Sequence, residues 1–83
     1  MIETDRDALK YKRLFVDNLI MARHNRRLTQ IETAKALGVS KGTIGAIEAR
    51  KNLPRFNLFL KMCKLYEVEP CRFLEGRIIA RVD

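Results

Sequence analysis

From Thr4 to about Arg26 the chain has neither Pro nor Gly. Leu9, Phe15, Leu19 and Ala22 recur there at spacings a helix gathers on one flank, while Arg13, Asp17 and Arg23 fall largely elsewhere. A first helix is predicted, opened by Thr4-x-x-Asp7, a variant of the capping box, with its first residues expected to fray. The next start signal is Leu28-Thr29, because a Thr hydroxyl accepts a backbone hydrogen bond at a helix N-terminus and Glu32 follows three residues later. Ile31, Ala34 and Leu37 then keep helical spacing, and Gly38 supplies the left-handed residue that commonly ends a helix. Val39 plugs the corner, and Ser40 caps a third helix whose Ile44 and Ile47 point inward. Arg50 to Leu53 reads as a loop. Pro54, which fits only the first turn of a helix, opens a fourth helix carrying Phe56, Phe59, Leu60, Cys63 and Tyr66 or Leu65. Pro70 opens a short fifth helix with Phe73 and Leu74, and Gly76 ends it.

The pattern is all-α, and 83 residues suffice for one compact domain but hardly two. No apolar run approaches the roughly 20 residues of a membrane-spanning helix, and the acidic start at Glu3, Asp5 and Asp7 is unlike a signal peptide. Cys63 and Cys71 are too few for a disulfide scaffold and wrongly spaced for a CxxC site, so reduced thiols in a cytoplasmic protein are expected. No metal site, cofactor site or catalytic set can be assembled. The single histidine, His24, sits among Arg23, Arg26 and Arg27, where a cation-rich surface explains it better than catalysis.

Charge adds a direction. The net charge is +7, and residues 23–55 hold eight basic side chains against only Glu32 and Glu48, whereas the rest of the chain is nearly balanced. An anionic partner is indicated, with phosphate the leading candidate. Two short helices joined by Gly38-Val39-Ser40 make a corner that can present the second helix to a major groove. With Ile44 and Ile47 inward, an advance of about 100° per residue puts Gly42, Gly45, Ala46 and Ala49 on the opposite face, which is nearly bare. Two glycines inside a helix cost about 1 kcal/mol each relative to Ala, which points either to a close approach by that face or to glycines that are merely tolerated, with any specificity low or drawn from DNA shape.

The run LTQIETAKALGVSKGTIGAIE, followed by a Pro-initiated helix, resembles the Cro and phage-repressor, or XRE-type, helix-turn-helix domain. The features carrying the resemblance are Leu28-Thr29-Gln30, Ala34, Gly38-Val39-Ser40, Ile44, Ile47-Glu48 and Pro54. It spans residues 12–75, leaving 1–11 as an extension of helix 1 and 76–83 as a tail. It implies a five-helix, lambda-repressor-like DNA-binding domain whose helix 2 crosses the phosphate backbone while helix 3 lies in the major groove of a site bound by a dimer.

By position, Lys41, Gly42, Thr43, Ala46 and Gln30 become the base-contacting candidates. Lys41 can donate to guanine O6 or N7, or to phosphate alone. Thr43 and Ala46 can meet a base edge or a thymine methyl, and Gln30 can contact phosphate or brace a base-reading side chain. Thr29, Ser40, Arg50, Lys51, Asn52 and Arg55 become the phosphate-contacting candidates. Thr33 stands where relatives usually have Leu and Ile31 where they usually have a polar residue, so local packing is expected to be rotated or compensated.

The expected activity is sequence-specific binding of double-stranded DNA by a dimeric transcriptional regulator, a repressor acting at a palindromic operator. The alternative is a protein-interaction module, or an antitoxin-type partner-binding protein, that receives an unidentified partner on the smooth Gly/Ala face. The apolar tail from Arg77 to Asp83 either mediates dimerisation or covers the monomer's own core with Ile78 and Val82.

Overall fold

The computed structural model describes residues 5–82, and among these it contains helices and no strands. The helices are α1 (Asp5–Asn25), α2 (Gln30–Leu37), α3 (Lys41–Glu48), α4 (Phe56–Tyr66) and α5 (Arg72–Glu75). The expected all-α, five-helix architecture is therefore present; the Thr4 cap lies outside the described residues. Helix α1 packs on α3, α4 and α5, and α2 packs on α3 and α4. Leu19, Ala22, Ala34, Leu37, Ile44, Ile47, Met62, Cys63, Tyr66 and Phe73 fill the space between them. Each large apolar side chain fully buried here contributes about 1.5–3 kcal/mol against exposure. Phe15, Phe59 and Phe73 meet with ring centroids 5.2, 6.2 and 5.5 Å apart, tilted or edge-on, and join α1, α4 and α5.

Several positions depart from the expected pattern. Leu9 is 54% exposed because the first turns of α1 run past the body of the protein, and complete burial begins only at Val16. Arg23, expected off the apolar flank, is buried. On α2, Ile31 is 51% exposed while Thr33 is wholly buried. The helix therefore turns the Thr33 hydroxyl into the core and leaves the larger apolar side chain of Ile31 outside. Helix α4 starts two residues later than Pro54 implied. Arg55 is its extended N-cap, and Phe56, in a first turn that overhangs the core, is 71% exposed.

Four helix ends share one device. Arg27, Gly38, Arg50 and Glu67 all have left-handed backbones, with φ between 57° and 73°. After each of them an amide returns to a carbonyl one turn back: Leu28 N to Arg23 O, Val39 N to Ala34 O, Lys51 N to Ala46 O and Val68 N to Cys63 O. Leu28, Val39 and Val68 then pack against the core, so those three turns are pinned from both sides, whereas Lys51 after Arg50 stays exposed.

The tail runs back along α1. Asn18, buried in α1, donates through Nδ2 to the carbonyls of Phe73 and Gly76, both at 2.9 Å, and accepts from the Ile78 amide at 2.8 Å. Two turns on, Asn25 donates to the Ile79 carbonyl at 2.9 Å and accepts from the Arg81 amide at 2.8 Å. Ile78 packs against the core, but Val82 is 92% exposed and covers none of it. Asn18→Ala leaves two carbonyls and an amide without their partner and is expected to lower unfolding free energy by about 1–3 kcal/mol. Removal of residues 77–83 in that background is expected to cost less than in the wild type, since both changes break the Ile78 bond. Urea unfolding of the four proteins checks this, and strictly additive losses would refute the coupling.

Candidate nucleic-acid interface

Helix α2 begins with the reciprocal cap that its sequence implies. The Glu32 amide donates to Thr29 Oγ1 at 3.0 Å, and the Thr29 amide donates to Glu32 Oε1 at 2.9 Å. The Thr29 backbone bond, then the Thr29 hydroxyl, hold the Glu32 carboxyl below its ordinary value. Gly38 ends α2 at φ 73°, where any side chain would be strained whatever the space around it. Ser40 caps α3: the Thr43 amide donates to its Oγ at 3.1 Å, and the two hydroxyls lie 3.0 Å apart. The corner thus carries local hydrogen bonds on both sides of a residue that can turn.

Its orientation in the protein is set by a buried polar network. Arg23 donates through Nε to Glu48 Oε2 at 2.7 Å and through Nη2 to Glu48 Oε1 at 2.9 Å, and Nη1 reaches the Leu28 carbonyl at 2.6 Å. Both side chains are less than 10% exposed. Gln30 Nε2 adds a donation to Glu48 Oε1 at 3.0 Å. The carboxylate at the end of α3 therefore ties down α1 and α2, and Arg23 extends the network to the link before α2. Beneath it lie the hydroxyls of Tyr66 and Thr33, buried and lacking hydrogen-bond geometry to any partner among the described residues. Burial first, and then the Glu48 charge, push the Tyr66 hydroxyl up to about 12.

On the outer side, Ser40, Gly42, Thr43, Ala46, Asn52 and Arg55 line one open cleft between α3 and the loop after it. Lys41 is exposed at the first position of α3, and Lys51 is exposed in the loop, its amide bound to the Ala46 carbonyl at 2.9 Å. The structure thus brings Gly42, Thr43 and Ala46 together with Ser40, Asn52 and Arg55. Lys41 and Thr29 flank the corner, and Gln30 sits on the α2 side against Glu48. Arg50 is turned away toward α1, where it forms an ion pair with Asp17. Exposed cations thus border a face of α3 built from glycine and alanine, a profile suited to a groove between phosphate ridges.

Nothing in the local sequence pattern joins Arg23 to Glu48, but a signal for the pair exists. Each is a charge set four residues after a core position, Leu19 or Ile44, and the two have opposite signs.

A family model described as helix-turn-helix matches residues 19–73. Among solved structures, the chain is similar to the SOS-response transcriptional repressor LexA from Eubacterium rectale, with a TM-score of 0.74 and 25% identity over 89% of this chain and 81% of that one. No curated protein matches.

The Tyr66 ring gives a pH test. A hydroxyl raised to about 12 in the fold, against about 10 in the unfolded chain, contributes stability that is intact below pH 10 and lost as pH rises toward 12. Tyr66→Phe is expected to lie within about 1 kcal/mol of wild-type stability at pH 7, because the hydroxyl it removes faces only the Thr33 hydroxyl, outside good hydrogen-bond geometry, and to show a shallower decline above pH 10. Denaturant titrations from pH 7 to 11 check both, and parallel curves for the two proteins would rule the account out.

Proposed function

The chain belongs to the helix-turn-helix family, and from that premise we propose that it is a cytoplasmic, non-catalytic regulator of transcription that binds double-stranded DNA in a sequence-specific way. The observation that carries this reading is the α3 face itself. Gly42, Thr43 and Ala46 are reachable beside Asn52 and Arg55, with Lys41 and Lys51 exposed at its two ends. In this reading α3 enters the major groove, Lys41 and Thr43 meet base edges, and Ala46 lies against a thymine methyl. Asn52, Lys51 and Arg55, with Ser40 and Thr29, hold the sugar-phosphate backbone. Arg50 joins them only by leaving Asp17.

The solved neighbour is named a transcriptional repressor, which supports repression as the outcome. A homodimer on a palindromic operator completes the proposal. Ile79 and Val82 are exposed on a tail whose inner edge is already bound to α1, so they are available to a second copy. Two copies would then set their α3 helices about 34 Å apart, one turn of duplex.

Fluorescence anisotropy with random and selected duplexes tests the reading. Binding is expected at low salt and should weaken steeply as salt rises. Lys41→Ala is expected to narrow the gap between selected and random DNA, by about 1–3 kcal/mol for a lost base contact. Lys51→Ala should weaken both duplexes alike and reduce the salt slope by about 1. Equal effects of the two substitutions on all DNA would remove Lys41 as a reader, and no binding at any salt would remove the function.

A further inference from the structure

Gln30 is the first residue of α2, and its half-buried amide lies between two residues of α3. On one side its Nε2 donates to Glu48 Oε1 at 3.0 Å. That polarity is imposed by chemistry, because a carboxylate paired to an arginine offers only acceptors. Arg23 holds both Glu48 oxygens from behind, at 2.7 and 2.9 Å, so the carboxylate cannot turn aside and let the amide flip.

The amide oxygen is left on the other side, beside Gly45, where a Cβ would stand 3.8 Å from it. Gly45 belongs to the same bare face as Gly42 and Ala46, and among the described residues Gln30 Oε1 meets no donor. The absence of side chains at these α3 positions brings its backbone close to whatever it docks on, within reach of a side chain projecting from α2.

We infer that Gln30 is a specificity-determining residue that reads the exocyclic amino group of a base, adenine N6 or cytosine N4, through Oε1. This rests on the DNA-binding reading above and adds the chemical class of the base. Guanine O6 and thymine O4 present acceptors at that place in the major groove and would face the amide oxygen unpaired. A phosphate oxygen could accept the remaining amide N–H, but being only an acceptor it would leave Oε1 without a donor. Adenine has the further advantage that its N7 can accept the remaining amide N–H.

The test is selection from a random duplex library with the wild type and with Gln30→Ala, followed by binding measurements on the selected duplex. Residue 30 is half-exposed, and circular dichroism and thermal melting confirm that the variant is folded. One base position is expected to require A or C in the wild type and to become indifferent in the variant. Replacing that base by its analogue lacking the amino group, purine for adenine or 2-pyrimidinone for cytosine, should weaken the wild type about five- to tenfold and leave Gln30→Ala unchanged.

A Gln30-dependent preference for G or T, or a uniform loss of affinity on every duplex, would overturn the inference while leaving DNA binding in place. So would a wild type that binds DNA without enriching any site. A wild type that binds no duplex even at low salt would instead overturn the DNA-binding reading itself.

Discussion

The Arg23–Glu48 ion pair is the joint on which the arrangement depends. Taking two charges out of water costs several kcal/mol each, and their attraction recovers this only when geometry is good and the remaining donors and acceptors are bound. Here the guanidinium engages both carboxylate oxygens and a backbone carbonyl, and the carboxylate takes a further bond from Gln30. A hydrophobic pair in the same place would hold the helices together with comparable strength. It would not fix the rotation of α3 about its own axis, because apolar contact has no direction. The pair defines that rotation: Glu48 points inward and the glycine-alanine face must point out.

This fixing matters because α2 and α3 are only eight residues each, too short to be stable helices alone. Their persistence comes from caps and packing. Thr29 and Ser40 bind amides at the two starts, Gly38 closes the first helix, and Ala34, Leu37, Ile44 and Ile47 bury one flank of each. Two glycines within α3 weaken it further. The external support is then what allows the outward face to be stripped of side chains without loss of the helix.

Much of this was legible in the sequence because local chemistry and tertiary role agreed. Thr29 with Glu32, Gly38 and Ser40 are each read from adjacent residues, and the structure uses each as read. Ile44 and Ile47 are buried as their spacing implied. What stayed hidden depends on partners distant in the chain. Asn18 looks like any polar residue in a helix until a tail some sixty residues later supplies its partners. Leu9 and Phe56 satisfied the apolar spacing but stand in terminal turns with nothing opposite, which periodicity cannot reveal. Three of the four left-handed helix ends carry Arg or Glu instead of glycine, so no local signal marked them. The αL conformation costs a non-glycine residue roughly 1–2 kcal/mol, offset here by the returning amide and by the apolar residue that follows at Leu28 and Val68.

Arg50 shows how the same constraint divides the charges. As the left-handed residue after α3, it needs a backbone that is unfavourable for its type, and its guanidinium is bound by Asp17 on α1. Its neighbours Lys51, Asn52 and Arg55 are exposed, and Asn52 and Arg55 line the cleft beside α3. One cation of the loop therefore anchors it to the scaffold, while the next two are presented outward. The positive excess in the middle of the chain is thus not one undivided patch. Arg23 and Arg50 are spent on holding α3 and its loop in place, and Lys41, Lys51 and Arg55 carry the field that an anionic surface would meet. Counting charges along the sequence cannot separate these two groups; only the ion pairs with Glu48 and Asp17 do.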